Sequence, residues 1–259
     1  MARRAFAIVA HPDDIEFMMA GTLALLGEAG YELHYMTVAN GSCGSVNQDA
    51  RTIAEQRRQE SLDAAAVIGA VYHESLCDDM EIYYERHLLQ RIASRMRKVE
   101  PEIILTHPPV DYMEDHMNTC RLVLSAAFVR GMPNYPVQPG RAPTEQPVAI
   151  YHALPYGLRD PLRRRVQPDF YVDITSKLDT KRTMLAKHRS QKEFLDATQG
   201  IDSYLQHMEE LSREMGQMSG RYTYAEGWTR HLALGYGPPN FDPLIAALSH
   251  QTMEVIIGP

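Results

Sequence analysis

Short apolar runs alternate along this chain with longer stretches in which apolar residues recur every three to four positions. Ala5-Phe6-Ala7-Ile8-Val9 reads as a buried strand, and Phe17 to Leu26, beyond a polar turn, as a helix. Glu32 to Val38 is a second strand. From Ala54 to Ile68 the apolar residues Leu62, Ala65, Ala66 and Ile68 share one helical face, and Gly69 is placed to stop it. Val71-Tyr72-His73 begins a short third strand. Leu88, Leu89, Ile92, Met96 and Val99 follow at helical spacing, closed by Pro101. Glu102 to Thr106 is a fourth strand, apolar enough to be buried on both faces. A fourth long helix runs through Leu122 to Val129, and the proline-rich stretch from Gly131 to Pro147 reads as a loop or lid. Strands resume at Val148 to His152 and Phe170 to Ile174, followed by polar helices over about Lys177 to Leu195 and Ile201 to Met215.

Strands alternating with helices predict an α/β fold: a Rossmann-like, mostly parallel sheet with helices on both faces and a C-terminal helical cap region. The chain reads as one domain over residues 1–259. Its metal-binding core spans 1–130; a lid, the remaining strands and the helical cap occupy 131–259. No apolar run approaches the roughly 20 residues of a membrane span. A net charge of −7 without a long basic block argues against nucleic acid as a partner. Cys43, Cys77 and Cys120 are odd in number and lack CxxC spacing, which favours a reducing cytoplasm over disulfides or a thiolate metal site. A homo-oligomer is compatible with the sequence, which does not set the number of copies.

The polar turn after the first strand carries the chemistry. Ala10-His11-Pro12-Asp13-Asp14-Ile15-Glu16 places an imidazole and two adjacent carboxylates where a parallel sheet presents its ligands. Neutral His and ionised Asp suit zinc or another divalent transition metal. Pro12 biases His11 towards extended backbone and so stiffens it. One Asp at a helix start is commonly a cap, but His-Pro-Asp-Asp at a strand end favours catalysis. A second polar cluster, His107 to His116, follows the fourth strand. The first and fourth strands are those expected to flank the switch in strand order, so the two clusters should meet in one cleft. His11, Asp14 and His116 would then supply three metal ligands. Asp13 is left free to take a proton from water, and Asp115 can orient an imidazole from behind. His34 and His73 fall inside strand patterns and read as structural. The loop Asn40 to Ser45 is glycine-rich but lacks both G-x-G-x-x-G and a Walker pattern.

With these residues in view the sequence resembles the LmbE-like, or PIG-L, family of N-acetylglucosaminyl deacetylases. Ala10 to Glu16 matches its first signature in full, and Asp115-His116 matches its second, broadly H-x-x-D-H. Arg57-x-x-Glu60 looks like its arginine-bearing helix, and Asp79-Met80-Glu81-Ile82 like its acidic substrate-binding turn. Lys181 through His188-Arg189-Ser190-Gln191 is similar to K-x-x-x-L-x-x-H-x-S-Q, and Tyr224-Ala225-Glu226 to a late A-E motif. The resemblance implies zinc on His11, Asp14 and His116, and Asp13 as general base. It also implies Arg57 and Asp79 on sugar hydroxyls, and hydrolysis of an N-acetyl or similar N-acyl group from an amino sugar or glycoconjugate.

The chain departs from that pattern at Met113, where the family often has a histidine, and in the glycine-rich loop, which lacks a frequent glutamate. A thioether cannot donate a hydrogen bond to a developing oxyanion. Zinc is therefore expected to carry most of that charge, with Tyr112 or His188 in support. Two further readings share the site: a hydrolase of another small-molecule amide, and a non-catalytic metal- or sugar-binding protein.

Overall fold

The structure, a computed structural model, describes residues 2–192 and 204–255. The final residues of the first polar helix expected near the C-terminus, 193–195, and the opening of the second, 201–203, lie outside the described residues. Eight strands form one sheet: β1 (Arg4–Val9), β2 (Glu32–Thr37), β3 (Val71–His73), β4 (Ile103–Thr106), β5 (Ala149–Ala153), β6 (Phe170–Asp173), β7 (Ala225–Arg230) and β8 (Thr252–Glu254). Their order is β3-β2-β1-β4-β5-β7-β6-β8. The first five run parallel, with Ala7 opposite Tyr35 on one side and Leu105 on the other. β7 enters antiparallel to both β5 and β6, and β8 antiparallel to β6, so six of the eight strands point one way.

Alternation along β1 explains its uninterrupted apolarity. Ala5, Ala7 and Val9 face a core completed by α1 (Asp14–Met18), α2 (Ala20–Glu28), α3 (Ala50–Val67), α6 (Leu178–Leu185) and α7 (Tyr204–Ser219). Phe6, Ile8 and Ala10 face the opposite core under α4 (Arg86–Val99) and α5 (Glu114–Val129). Both faces of the sheet are therefore covered by helices, with a short α8 (Pro243–Ala247) beside the last strands.

Three local differences from the sequence reading matter. The first helix is broken at Met19, whose φ of −148° is not helical. The N–H groups of Gly21 and Thr22, at the start of α2, bond instead to the buried carboxylate of Glu226 on β7. A Cβ at Gly21 would come within 2.6 Å of Ile174, so this close approach needs glycine. α5 begins two turns earlier than its apolar face suggests, which brings His116 into its first turn beside Glu114 and Asp115. The proline-rich segment is a loop packed against α4. Its carbonyls at Met132, Tyr135 and Arg141 accept from the Arg97 guanidinium on α4, and none of its residues lines the cavity described below.

Candidate active site and metal centre

β1 and β4 are neighbours, and the strand order reverses between them, so the loops leaving their carboxyl ends share one crevice. Ala10 N–H donates to His107 Nε2 at 2.9 Å across this gap. Asp13 then takes a left-handed backbone, φ 94°, a strained position for a residue with a side chain. The turn is closed by His11 N–H donating to Asp14 Oδ2 at 2.7 Å.

In this crevice His11, Asp14 and His116 bring one ligand atom each within 4.8 Å of one another. His11 Nδ1 is 3.6 Å from Asp14 Oδ2, and His116 Nε2 is 3.5 Å from Asp14 Oδ1. The far nitrogen of each imidazole meets a carboxylate: His11 Nε2 lies 3.0 Å from Asp115 Oδ2, and His116 Nδ1 lies 3.1 Å from Asp111 Oδ1. A histidine–histidine–carboxylate set with a carboxylate beside each outer nitrogen fits a zinc-type ion. His107, Asp111 and His116 meet the same distance limit. There, however, His107 Nε2 accepts the Ala10 N–H, and Asp111 Oδ1 accepts the Met113 N–H beside His116.

The electrostatics agree. Burial pushes the His11 imidazole down, but Asp115 and Asp14 outweigh it and raise it to about 10. Burial likewise opposes the charge on His116, and Asp14 and Asp111 overcome it. Burial works to raise the Asp14 carboxyl, yet the imidazoles of His116 and His107 hold it well below the usual range. The site is a desolvated cluster of opposite charges, the setting in which a cation displaces protons.

Asp13 sits apart from that trio. Burial lifts its carboxyl to about 6 against the pull of Arg57, whose Nη2 is 3.6 Å from Oδ1. Its Oδ2 accepts the Tyr204 hydroxyl from α7. Arg57 is itself buried and donates to Pro12 O at 2.7 Å and Gly41 O at 3.4 Å. This explains the glycine-rich loop: a Cβ at Gly41 or Gly44 would come within 2.5 or 2.4 Å of the Arg57 side chain. Asp79 braces the same loop by accepting from Gly41 N–H at 2.7 Å and Cys43 N–H at 3.0 Å.

A cavity of about 410 Å³ opens over these groups. Its polar lining includes His11, Asp13, Asp14, Arg57, Asp79, His116 and Gln191; its apolar lining includes Phe17, Met80, Tyr112, Met113 and Tyr156. His188 is buried behind Asp13, 3.4 Å from Glu16 Oε2, and is not among the lining residues. Here the scattered motif residues interlock: Glu60 accepts Ser190 Oγ–H at 2.6 Å, and Lys181 Nζ meets Glu226 at 2.6 Å with both side chains fully buried. Asp111, Phe17, Tyr156 and Tyr204 were not singled out from sequence, and Gln191 entered only as the end of a family-like segment. Asp111 carried a signal, a carboxylate five residues before His116 in the same polar cluster; Tyr204 carried none.

A sheet of this order, with helices on both faces, defines an LmbE-like α/β fold. The PIG-L family model, described as GlcNAc-PI de-N-acetylase, matches residues 6–127, so the chain carries a domain of the PIG-L (LmbE-like) kind. It is 27% identical to the 4-oxalmesaconate hydratase of Pseudomonas putida, over 87% of this chain and 88% of that protein. It is 26% identical to the diacetylchitobiose deacetylase of Thermococcus kodakarensis, over 87% of this chain and 82% of that one. The structure of N,N'-diacetylchitobiose deacetylase from Pyrococcus horikoshii superposes with a TM-score of 0.75 at 23% identity, covering 94% of this chain and 89% of that one. The chain is thus an enzyme of a family that holds both deacetylases and a hydratase. Among the described residues no helix is long and apolar enough to cross a membrane.

Proposed function

We propose that this protein is a metal-dependent hydrolase that removes an N-acetyl or related N-acyl group from an amino sugar or its conjugate. One observation carries the reading. The two imidazoles facing Asp14 each have the far nitrogen beside a carboxylate, and Asp13 opens into the same cavity. His11, Asp14 and His116 would hold zinc or another divalent transition metal. Such an ion polarises an amide carbonyl and brings the pKa of water to about 7. Asp13 takes the proton from the attacking water and returns it to the leaving amine. Its carboxyl, lifted to about 6, suits a group that must gain and lose a proton near neutral pH. Asp115 and Asp111 hold the imidazoles in the ligating orientation. Arg57 and Asp79 act on the substrate side, together fixing the Gly41–Gly44 loop at the cavity edge. Of the two candidate donors for the oxyanion, Tyr112 reaches the cavity, while His188 backs Asp13 from inside.

The lining also favours a neutral sugar over an anionic acid of the kind the hydratase relative is named for. Among the described residues Arg57 is the one guanidinium lining the cavity, and it is committed to Pro12 O, Gly41 O and Asp13. A polycarboxylate would meet Asp13 and Asp79 with no uncommitted guanidinium, leaving only the proposed ion and its two imidazoles to balance it. The three free thiols fit a cytoplasmic setting.

The test is amine release from a panel of N-acyl amino sugars by protein of measured metal content. Asp13→Asn is expected to keep its metal while turnover falls by about 10²–10⁴-fold. Near-normal turnover by this variant rejects the base assignment. No amine release from any sugar, with water added instead to an unsaturated carboxylic acid, would move the protein to the hydratases.

A further inference from the structure

The geometry points to a subsite for an apolar substituent on the amino sugar, clamped between Met80 and Tyr112 at the cavity mouth; this rests on reading the cavity as an N-deacylase site. Of the twelve large hydrophobic side chains exposed among the described residues, six (Val46, Met80, Tyr83, Tyr84, Val110 and Tyr112) lie in just three loops. Those loops follow β2, β3 and β4, which run parallel to β1, so they leave the sheet at the end where the cavity opens, and Met80 and Tyr112 among the six line it. Apolar surface concentrated at a binding mouth marks a contact surface rather than scatter.

Met80 is the most specific of the six. It lines the cavity and is nevertheless 58% exposed. Its φ of 64° is a left-handed conformation that side chains disfavour. What holds it there is Asp115 Oδ2, which accepts the Met80 N–H at 2.8 Å and lies 3.0 Å from His11 Nε2. The backbone that carries the thioether is thereby tied to the proposed metal ligands. Tyr112, 54% exposed, also lines the cavity, with its ring edge-on to His116 at 5.5 Å. Its ring is 6.2 Å from Tyr156, which in turn is 5.4 Å from Phe17, so an aromatic file runs from the inner wall to the mouth. A thioether and an aromatic wall lining one cavity adapt to alkyl chains and rings alike. The polar groups beside Asp13 suit a sugar, and the mouth suits several carbons attached to it. The attachment can be the glycosidic oxygen or the N-acyl chain.

Metal-loaded protein is compared on N-acetylglucosamine, phenyl and octyl N-acetylglucosaminides, and N-hexanoylglucosamine. Both kcat/KM for amine release and calorimetric affinity are measured. At least one substituted arm is expected to exceed N-acetylglucosamine by about tenfold or more, and the arm that does so identifies the attachment point. Met80→Ser should collapse that ratio, and Met80→Leu should restore it. Ratios near one in both arms, or a ratio untouched by Met80→Ser, overturn the subsite. If no sugar releases an amine, the deacylase reading fails, and the calorimetric ratios still decide whether the apolar subsite exists. If a second copy of the chain covers the mouth instead, Met80→Glu would dissociate an oligomer without changing substrate preference, which also overturns the assignment.

Discussion

Two groups of buried histidines lie on this sheet and have opposite electrostatics. At the carboxyl ends of β1 and β4, His11 and His116 face Asp14, Asp115 and Asp111, and both are pushed towards the charged form. Inside β2 and β3, His34 Nδ1 and His73 Nε2 meet each other at 2.9 Å beside the Phe6 ring. There burial, His34 and nearby cations drive His73 down to about 3, and burial lowers His34 as well. Burial alone neutralises an imidazole. Carboxylates reverse that, and they can gather only where strands end and loops carry them.

The largest effects are expected at the charged group. His11→Ala, Asp14→Ala and His116→Ala should each lose the bound metal, read by elemental analysis; full occupancy in all three would dissolve the distinction. Asp111→Asn should weaken metal binding by about 10–100-fold through the orientation of His116. An unchanged affinity would leave Asp111 a packing residue. The neutral pair should show itself in stability against pH. In the unfolded chain His73 titrates near 6.5, and in the folded protein near 3. Below pH 6.5 the unfolded chain takes up a proton that the native one refuses, so stability falls as pH falls towards 3. The contribution is up to about 1.4 kcal/mol per pH unit. His73→Gln should therefore gain on the wild type between pH 6.5 and 4 in denaturant titrations; parallel curves would contradict the assignment. The smallest effect is expected at Glu32, half-exposed and 3.2 Å from His34 Nε2. Glu32→Gln should change stability by less than about 1 kcal/mol and leave metal content alone.

Much of this was legible because it rests on local pattern. The apolar runs of β1, β2, β4, β5 and β6 announce buried strands, and the two polar clusters stand where such strands end. β7 was not legible, because Ala225-Glu226-Gly227-Trp228-Thr229-Arg230 has neither an apolar run nor alternation. It is a strand because Lys181 neutralises Glu226 from a distant helix, a pairing that spacing cannot announce. Asp111 was visible as a carboxylate but not as a partner, since only the turn into α5 aims it at His116 Nδ1. Tyr204 reaches Asp13 across most of the chain's length, and no periodicity encodes that contact.

The chain's single tryptophan sits on that unheralded strand, fully buried, with its indole N–H donating to Thr22 Oγ1 at 3.0 Å. Thr22 belongs to α2, whose start is held by Glu226, two residues before the indole. The protein therefore carries a built-in optical gauge. Light emitted by Trp228 reports whether the antiparallel half of the sheet is docked against the helix that leads away from His11 and Asp14. A red-shifted emission on chelation would mean that this docking depends on the ion. An unchanged spectrum would mean that the scaffold stands ready before any ion arrives.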